Sequence, residues 1–319
     1  MRFYFICRLT LFCIAGGSFI SWGVPSFAAG EQPADIVIHE LKSSDGKAIV
    51  QLLGPPIVPL DGPETIKHIV FRDADGALRK TVDVQQDVYV FHYTLSSTGY
   101  LLVNEGTYRP YDMLVHDANL TLYCPFGHPL YQYPLDKRSR VWLQTVSDRG
   151  EWSVATLQIG FVDSFPGETI IILNAEGKVV HDNVVHYNPV FQSVFWLDFT
   201  DDHTIIVWTL NRIFLFDVET GKSRWEVPID SGVVRGHPTA YSTDRRYIAI
   251  VDLLQTTLPD KTISLYPRLR VYDMRDGTLV QEAISRNADI KGDLTILYDE
   301  TKRQFTVEGI NDISLTINK

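Results

Sequence analysis

The stretch Ser193–Val227, "SVFWLDFTDDHTIIVWTLNRIFLFDVETGKSRWEV", decides the fold, because four short apolar runs alternate in it with turn residues. The runs are rich in Val, Ile, Phe and Trp, which favour β-strands. Asn211 and Gly221 lie between runs and tolerate the backbone of tight turns. We therefore predict a four-stranded antiparallel meander, with strands at about 193–199, 204–210, 213–218 and 224–227.

The two middle strands of this meander are apolar at consecutive positions rather than at alternate ones. "TIIVW" (204–208) and "IFLF" (213–216) contain no polar residue after Thr204. A continuous apolar run indicates a strand that is covered on both faces. In an antiparallel sheet this favours sheets that stack face to face in a series.

The strand–turn–strand unit "LFDVETGKSRWEV" has counterparts along the chain. They include "VFRDADGALRKTV" and "VYDMRDGTLVQEA", and each is preceded by a further predicted strand pair. Successive turn markers lie 43, 58, 44 and 56 residues apart, which is the period of a propeller blade. No segment shows a convincing helical pattern. The predicted turn markers are Gly76, Asn119, Gly177, Gly221 and Gly277.

The units resemble the outer hairpins of the β-propeller superfamily, which includes WD-repeat, YVTN-type and quinoprotein-like propellers. In "LFDVETGKSRWEV" and "VYDMRDGTLVQEA" an aspartate follows an apolar strand and precedes a Thr-Gly or Asp-Gly turn. A recurring Ser-x-x-Gly before an apolar strand resembles the inner hairpin of such blades. The Trp-Asp pair of true WD repeats is absent, and Gly236-His237 is only a partial match to their Gly-His pair. The resemblance implies an all-β propeller and no particular activity.

Six or seven four-stranded blades fit the chain, and the last one shows only three strands. Because an open sheet edge invites aggregation, we expect the segment Asp35–Leu41 to pair with the carboxy-terminal unit. A pair of packed sheets is the alternative, but it does not explain the repeated hairpins. The predicted blades cover residues 35–84, 88–124, 141–184, 193–227, 237–283 and 293–319.

The amino-terminal 28 residues have the layout of a secretory signal peptide. Arg2 and Arg8 precede an apolar segment, and Ser26-Phe27-Ala28 offers small residues for cleavage after Ala28. An uncleaved anchor and a lipid anchor on Cys13 are alternatives. We expect one propeller domain over residues 29–319, exported to the periplasm or the extracellular space, with no integral membrane span after cleavage.

Charge and cysteine content restrict the partners. Removing residues 1–28 removes two arginines and no acid, so the formal net charge changes from −10 to −12. Nucleic acid is not expected as a partner, because phosphate binding needs clustered Lys and Arg. Cys124 becomes the only thiol; we expect a small buried residue there, with intermolecular pairing or reactivity as the alternative.

The candidate ligand-binding residues come from loops expected at one mouth of the ring. These loops cover 130–140, 185–191, 229–237 and 285–291, and the residues with suitable chemistry are His186, Tyr187, Asp230, Arg235 and His237. His181 and His186 could share a metal, but no further ligand completes the set, so we expect neither a metal nor another cofactor. No nucleophile or phosphate-binding motif is present, so no catalytic residue is predicted.

Two functions remain open from the sequence. The first is a non-enzymatic binding or scaffold protein that presents a rigid face to a protein, peptide or glycan. The second is a metal-dependent propeller hydrolase, lactonase or lyase with its site at the channel mouth. Because one fold supports many activities, the site must discriminate between them.

Overall fold

The computed structural model describes residues 35–56, 65–109, 114–136, 139–159, 168–182, 194–209, 212–228, 236–237, 239–287 and 294–317. Regular structure in these residues consists of 24 strands in six four-stranded sheets. The predicted all-β fold is confirmed, with six blades in the described part of the chain. No helix that could cross a membrane occurs in that part.

Blades 1 to 3 are each built from four consecutive strands joined by antiparallel hairpins. Blade 1 contains β1 (Ile36–Lys42), β2 (Ala48–Gly54), β3 (His68–Asp73) and β4 (Leu78–Asp83). Blade 2 contains β5 (Val88–Leu95), β6 (Leu101–Arg109), β7 (Leu114–Tyr123) and β8 (Pro129–Pro134). Blade 3 contains β9 (Ser139–Val146), β10 (Trp152–Ile159), β11 (Glu168–Asn174) and β12 (Val179–His181).

Blades 4 and 5 follow the same plan, and blade 6 departs from it. Blade 4 contains β13 (Val194–Asp201), β14 (Thr204–Thr209), β15 (Arg212–Asp217) and β16 (Lys222–Pro228). Blade 5 contains β18 (Thr239–Tyr241), β19 (Tyr247–Thr257), β20 (Ile263–Asp273) and β21 (Leu279–Ile284). Blade 6 contains β22 (Leu294–Asp299), β23 (Gln304–Val307) and β24 (Ile310–Thr316), preceded in the sheet by β17 (Gly236–His237).

Consecutive blades stack face to face through five buried apolar clusters, one at each junction from blades 1/2 to blades 5/6. At the junction of blades 3 and 4, Val154 and Ile172 pack against Ile205 and Val207. Every position of β14 is buried, as its continuous apolar run predicts. Each such Val or Ile side chain stabilises the stack by about 1.5–3 kcal/mol relative to exposure.

The expected closure through the amino-terminal segment was wrong. Residues Ile36–Lys42 form β1, which pairs with β2 over the register Ile36↔Gly54 to Lys42↔Ile49. The turn between these strands spans only residues 43–47, so the hairpin partner costs little loop entropy. The fourth strand of blade 6 is instead β17, which pairs with β22 in a parallel register.

The turn marker at Asn119 was also wrong. Asn119 lies inside β7, where the register shifts between Glu105 and Thr107 and where Asp117 has a φ of 49°. The Asp-Ala-Asn sequence therefore marks a bulge, since a bulge also uses a residue in an unusual conformation. The corresponding turn of blade 2 closes at Gly127, and β8 extends the blade beyond the predicted end at residue 124.

Candidate functional site

The predicted site residues are only partly within the described chain. His186, Tyr187, Asp230 and Arg235 lie outside the described residues. His237 is the second residue of β17, opposite Thr295 of β22. This set stays a prediction. The described residues form a cavity at the end of the sheets opposite the connections between blades, where the first strand of each blade turns into the second.

These inner turns share one construction. A serine directly follows the first strand, and its Oγ accepts a hydrogen bond from a backbone N–H at the start of the second strand. Serine hydroxyls commonly stabilise turns in this way. The bonds join Ser43 to Ala48 (2.9 Å), Ser96 to Tyr100 (3.0 Å), Ser147 to Trp152 (3.1 Å) and Ser242 to Tyr247 (2.9 Å).

The inner turns of five consecutive blades converge on one cavity of about 260 Å³. We call this end of the ring the inner-turn mouth. Its lining combines side chains that are far apart in sequence, which only a radial arrangement of blades brings together. The lining includes Ser44 of blade 1, Ser97 of blade 2, Asp148 of blade 3, Asp201 of blade 4 and Arg245 of blade 5.

Adjacent inner turns are joined to each other. The Asp45 N–H donates to the Ser97 carbonyl (3.0 Å), and the Ser97 N–H donates to the Asp148 carboxylate (3.1 Å). The Arg149 guanidinium then lies 3.0 Å from the Asp202 carboxylate. These contacts connect blades 1 to 4, so the rim of the mouth is held by bonds between blades as well as within them.

Arg245 occupies a turn position that is glycine in the first three blades. Its φ is 55°, and its N–H donates to the Ser242 carbonyl at 2.8 Å. Left-handed backbone costs an L-residue about 1–2 kcal/mol, which glycine avoids. The corresponding N–H groups of the glycines bond to the corresponding serine carbonyls; the residues are Gly46 (φ 71°), Gly99 (φ 95°) and Gly150 (φ 67°).

The Arg245 guanidinium is oriented toward the cavity by an aromatic ring. Its carbon lies 4.7 Å from the centroid of the Tyr241 ring, a cation–π distance. The Tyr241 hydroxyl is buried and has no hydrogen-bond partner in the described residues. Burial, followed by the charge of Asp198, raises the Tyr241 pKa well above its ordinary value.

Asp198 lines the mouth, and its carboxyl group has a raised pKa. Burial raises the pKa of its carboxyl to about 6, and the charge of Asp148 adds to this increase. A hydrogen bond from the Phe199 N–H (2.9 Å) and the charge of Arg245 act in the opposite direction. The mouth therefore holds a carboxylate that gains a proton at mildly acidic pH.

The arrangement provides polar recognition in a fixed frame. Serine and threonine hydroxyls, one guanidinium and several carboxylates line the same cavity. Within the described residues, no three His, Cys, Asp or Glu side chains cluster as metal ligands would. Cys124, which we expected to be buried, is half-buried.

No protein-family model and no curated protein matches the chain. Six four-stranded sheets are stacked in series, antiparallel except for the β17–β22 pair, and the inner turns of five of them surround one cavity. This arrangement decides the architecture. The chain is a β-propeller. The chain is also similar to several solved structures at low sequence identity.

The chain is similar to a chain in a "Crystal Structure of Mitotic Checkpoint Complex", with a TM-score of 0.50 and 10% identity over 95% of this chain and 80% of that one. For hydrazine synthase of Kuenenia stuttgartiensis the TM-score is 0.48 and the identity 13%, over 88% of this chain and 76% of that one. For the Pan2 WD40 domain of Neurospora crassa the TM-score is 0.47 and the identity 8%, over 86% of this chain and 75% of that one. At such identities the similarity concerns the fold alone.

Asp148, Asp198 and Arg245 were not among the site residues predicted from the sequence. A signal for Arg245 was present, since the repeated Ser-x-x-Gly of the inner hairpins becomes "STDR" in blade 5. A residue with a side chain at a position where the pattern has glycine indicates a strained, left-handed backbone. No comparable signal exists for Asp198, because its importance arises from neighbours in blades 3 and 5.

Proposed function

We propose that this protein is an exported, non-enzymatic binding module whose inner-turn mouth holds a peptide segment of a partner protein. The observation that carries the proposal is the polar cavity formed by inner turns of five blades. Its size suits one or two side chains of a ligand rather than a whole domain. Ligand sites are usually concave, with a few well-placed polar groups.

The rim supports this proposal through its rigidity. Serine hydroxyls fix four of the inner turns, and bonds between turns connect blades 1 to 4. A site that is already ordered loses little conformational entropy when a ligand binds. The backbone N–H and hydroxyl groups of the turns suit the polar backbone of an extended peptide.

Export is the second part of the proposal and is supported by the signal-like residues 1–28. We expect the mature protein to begin at Ala29. Amino-terminal sequencing of the protein recovered from the periplasm or the medium tests this. A product in the cytosol that retains Met1 would contradict it.

The binding proposal is tested by selecting peptides from a random display library on the immobilised mature protein. Each selected peptide is then measured against Ser44→Trp, which places an indole at the mouth from an exposed turn residue. Gln86→Trp is the matched control, because Gln86 is exposed in the connection between blades 1 and 2 at the opposite end of the sheets.

We expect peptide affinity to fall at least tenfold in Ser44→Trp and to remain unchanged in Gln86→Trp. The thermal unfolding midpoints of both variants should match that of the parent. Peptides that bind all three proteins equally, or a selection that yields no binder, would contradict the proposed mouth.

A further inference from the structure

We infer that the inner-turn mouth recognises a carboxylate of an acidic peptide segment, with the Arg245 guanidinium as its principal donor. This inference rests on the proposed function and specifies the ligand chemistry of the same site.

The other charged groups of the mouth already have partners within the protein. The Lys42 ammonium lies 3.2 Å from the Glu40 carboxylate. Each lining carboxylate accepts a backbone hydrogen bond, which satisfies part of its capacity. The Ser97 N–H donates to Asp148 (3.1 Å), the Phe199 N–H donates to Asp198 (2.9 Å), and the His203 N–H donates to Asp201 (2.8 Å).

The Arg245 guanidinium differs, because no hydrogen bond or ion pair engages it in the described chain. It keeps five N–H donors in a planar fork, and Tyr241 orients that fork by stacking. Two parallel N–H donors match the two oxygens of a carboxylate better than they match any neutral group. An anionic group of the ligand therefore completes what the protein leaves unpaired.

The backbone of Arg245 supports a role beyond folding. The turn would be less strained with glycine, as in blades 1 to 3, yet an arginine occupies it at φ 55°. Strained residues of this kind concentrate at ligand sites. Arg303 has the same conformation in the inner turn of blade 6 (φ 50°) but does not line the cavity, so it provides a natural control.

The charge of the whole protein limits the ligand to few anionic groups. The chain carries a formal net charge of −10, and Asp148, Asp198 and Asp201 lie in the same cavity as Arg245. A polyanion would meet repulsion that one guanidinium does not offset. A peptide segment with one acidic side chain or a terminal carboxylate fits these charges.

Asp198 couples recognition to pH. It faces Arg245 and Tyr241 of blade 5 and Asp148 of blade 3, while Lys42 and Asp201 line the same cavity. Ionised Asp198 interacts electrostatically with the Arg245 guanidinium, which the ligand also needs. Its negative charge also repels the carboxylate of the ligand. Because an anionic ligand favours the protonated form of Asp198, affinity should rise as pH falls through about 6.

The experiment uses the mouth-dependent peptides from the display selection, each with its acidic residue replaced by the isosteric amide. We expect these peptides to be enriched in Asp and Glu, and the amide to weaken binding at least tenfold. Arg245→Gly should cause a similar loss, Arg245→Lys should restore part of it, and Arg303→Gly should leave affinity unchanged. Between pH 7.5 and 5.5 affinity should increase severalfold in the parent and stay constant in Asp198→Asn.

The outcomes separate this inference from the proposed function. Peptides that require the mouth but tolerate the amide and Arg245→Gly would overturn the carboxylate and leave the binding function standing. Enrichment of Lys and Arg in the selected peptides would likewise overturn it. Peptides insensitive to Ser44→Trp would defeat both proposals, since the mouth would then bind nothing.

Discussion

At the residue scale, the inner turns of blades 1 to 3 and that of blade 5 have different residues at the position with positive φ. Glycine supplies the left-handed conformation in blades 1 to 3, and Arg245 adopts it in blade 5. The glycines are there for geometry: at Gly150 a Cβ would overlap the Tyr100 ring, whereas at Gly46 nothing lies within 4 Å. The two glycines therefore distinguish backbone strain from steric overlap.

Gly150→Ala should destabilise the protein by about 2–4 kcal/mol, because strain and overlap add. Gly46→Ala should cost about 1–2 kcal/mol, since only the left-handed backbone is strained. Urea unfolding of both variants measures the difference. Equal losses would show that the Tyr100 contact adds nothing.

Asp198 is a residue whose ionisation opposes folding. Its folded pKa of about 6 lies above the ordinary aspartate value of 3.8. Its contribution to the free energy of unfolding is therefore most favourable below pH 3.8 and is lost as pH rises through 6. Asp198→Asn should therefore stabilise the protein at pH 7.5 by about 1–3 kcal/mol. The gain should shrink toward pH 4 in unfolding experiments; a variant that is less stable than the parent at pH 7.5 would contradict this.

At the element scale, the sequence predicts strands well and irregular strands poorly. The meander of blade 4 was predicted almost residue for residue, because continuous apolar runs and Asp or Gly turns agree there. The same residue types, Asp and Asn, were misleading at Asn119, where they mark a bulge. Pattern alone does not distinguish a bulge from a turn, since both place a polar residue at positive φ.

The β19–β20 hairpin carries a buried charge cluster on its face toward blade 4. Asp252 is fully buried and accepts hydrogen bonds from Arg268 (3.0 and 2.7 Å) and from Arg270 (2.8 Å), both also buried. Removing this carboxylate would leave two guanidinium groups without their shared partner. Such an unbalanced buried charge is strongly destabilising.

Asp252→Ala should cost about 3–5 kcal/mol in urea unfolding. Asp260→Ala is the control at the exposed tip of the same hairpin, where the Asp260 carboxylate accepts hydrogen bonds from the N–H and the hydroxyl of Thr262. It should leave the unfolding midpoint nearly unchanged. Similar effects of the two substitutions would contradict the assigned importance of the cluster.

At the scale of the whole molecule, the serial stacking of blades was predictable and its consequences were not. Repeated units and doubly covered strands indicate a ring. The choice of β17 as the fourth strand of blade 6 depends on long-range geometry, since the described part of that strand contains just two residues. The convergence of Asp148, Asp198 and Arg245 likewise requires the ring, because each belongs to a different blade.

The most direct test of the account is hydrogen exchange of the backbone amides with and without a selected peptide. We predict that protection appears together in the inner turns at 43–47, 96–100, 147–151, 200–203 and 242–246, which line or flank the mouth. Protection confined to the opposite end, at 84–87 and 285–287, or to a single blade, would contradict a binding site formed jointly by five blades.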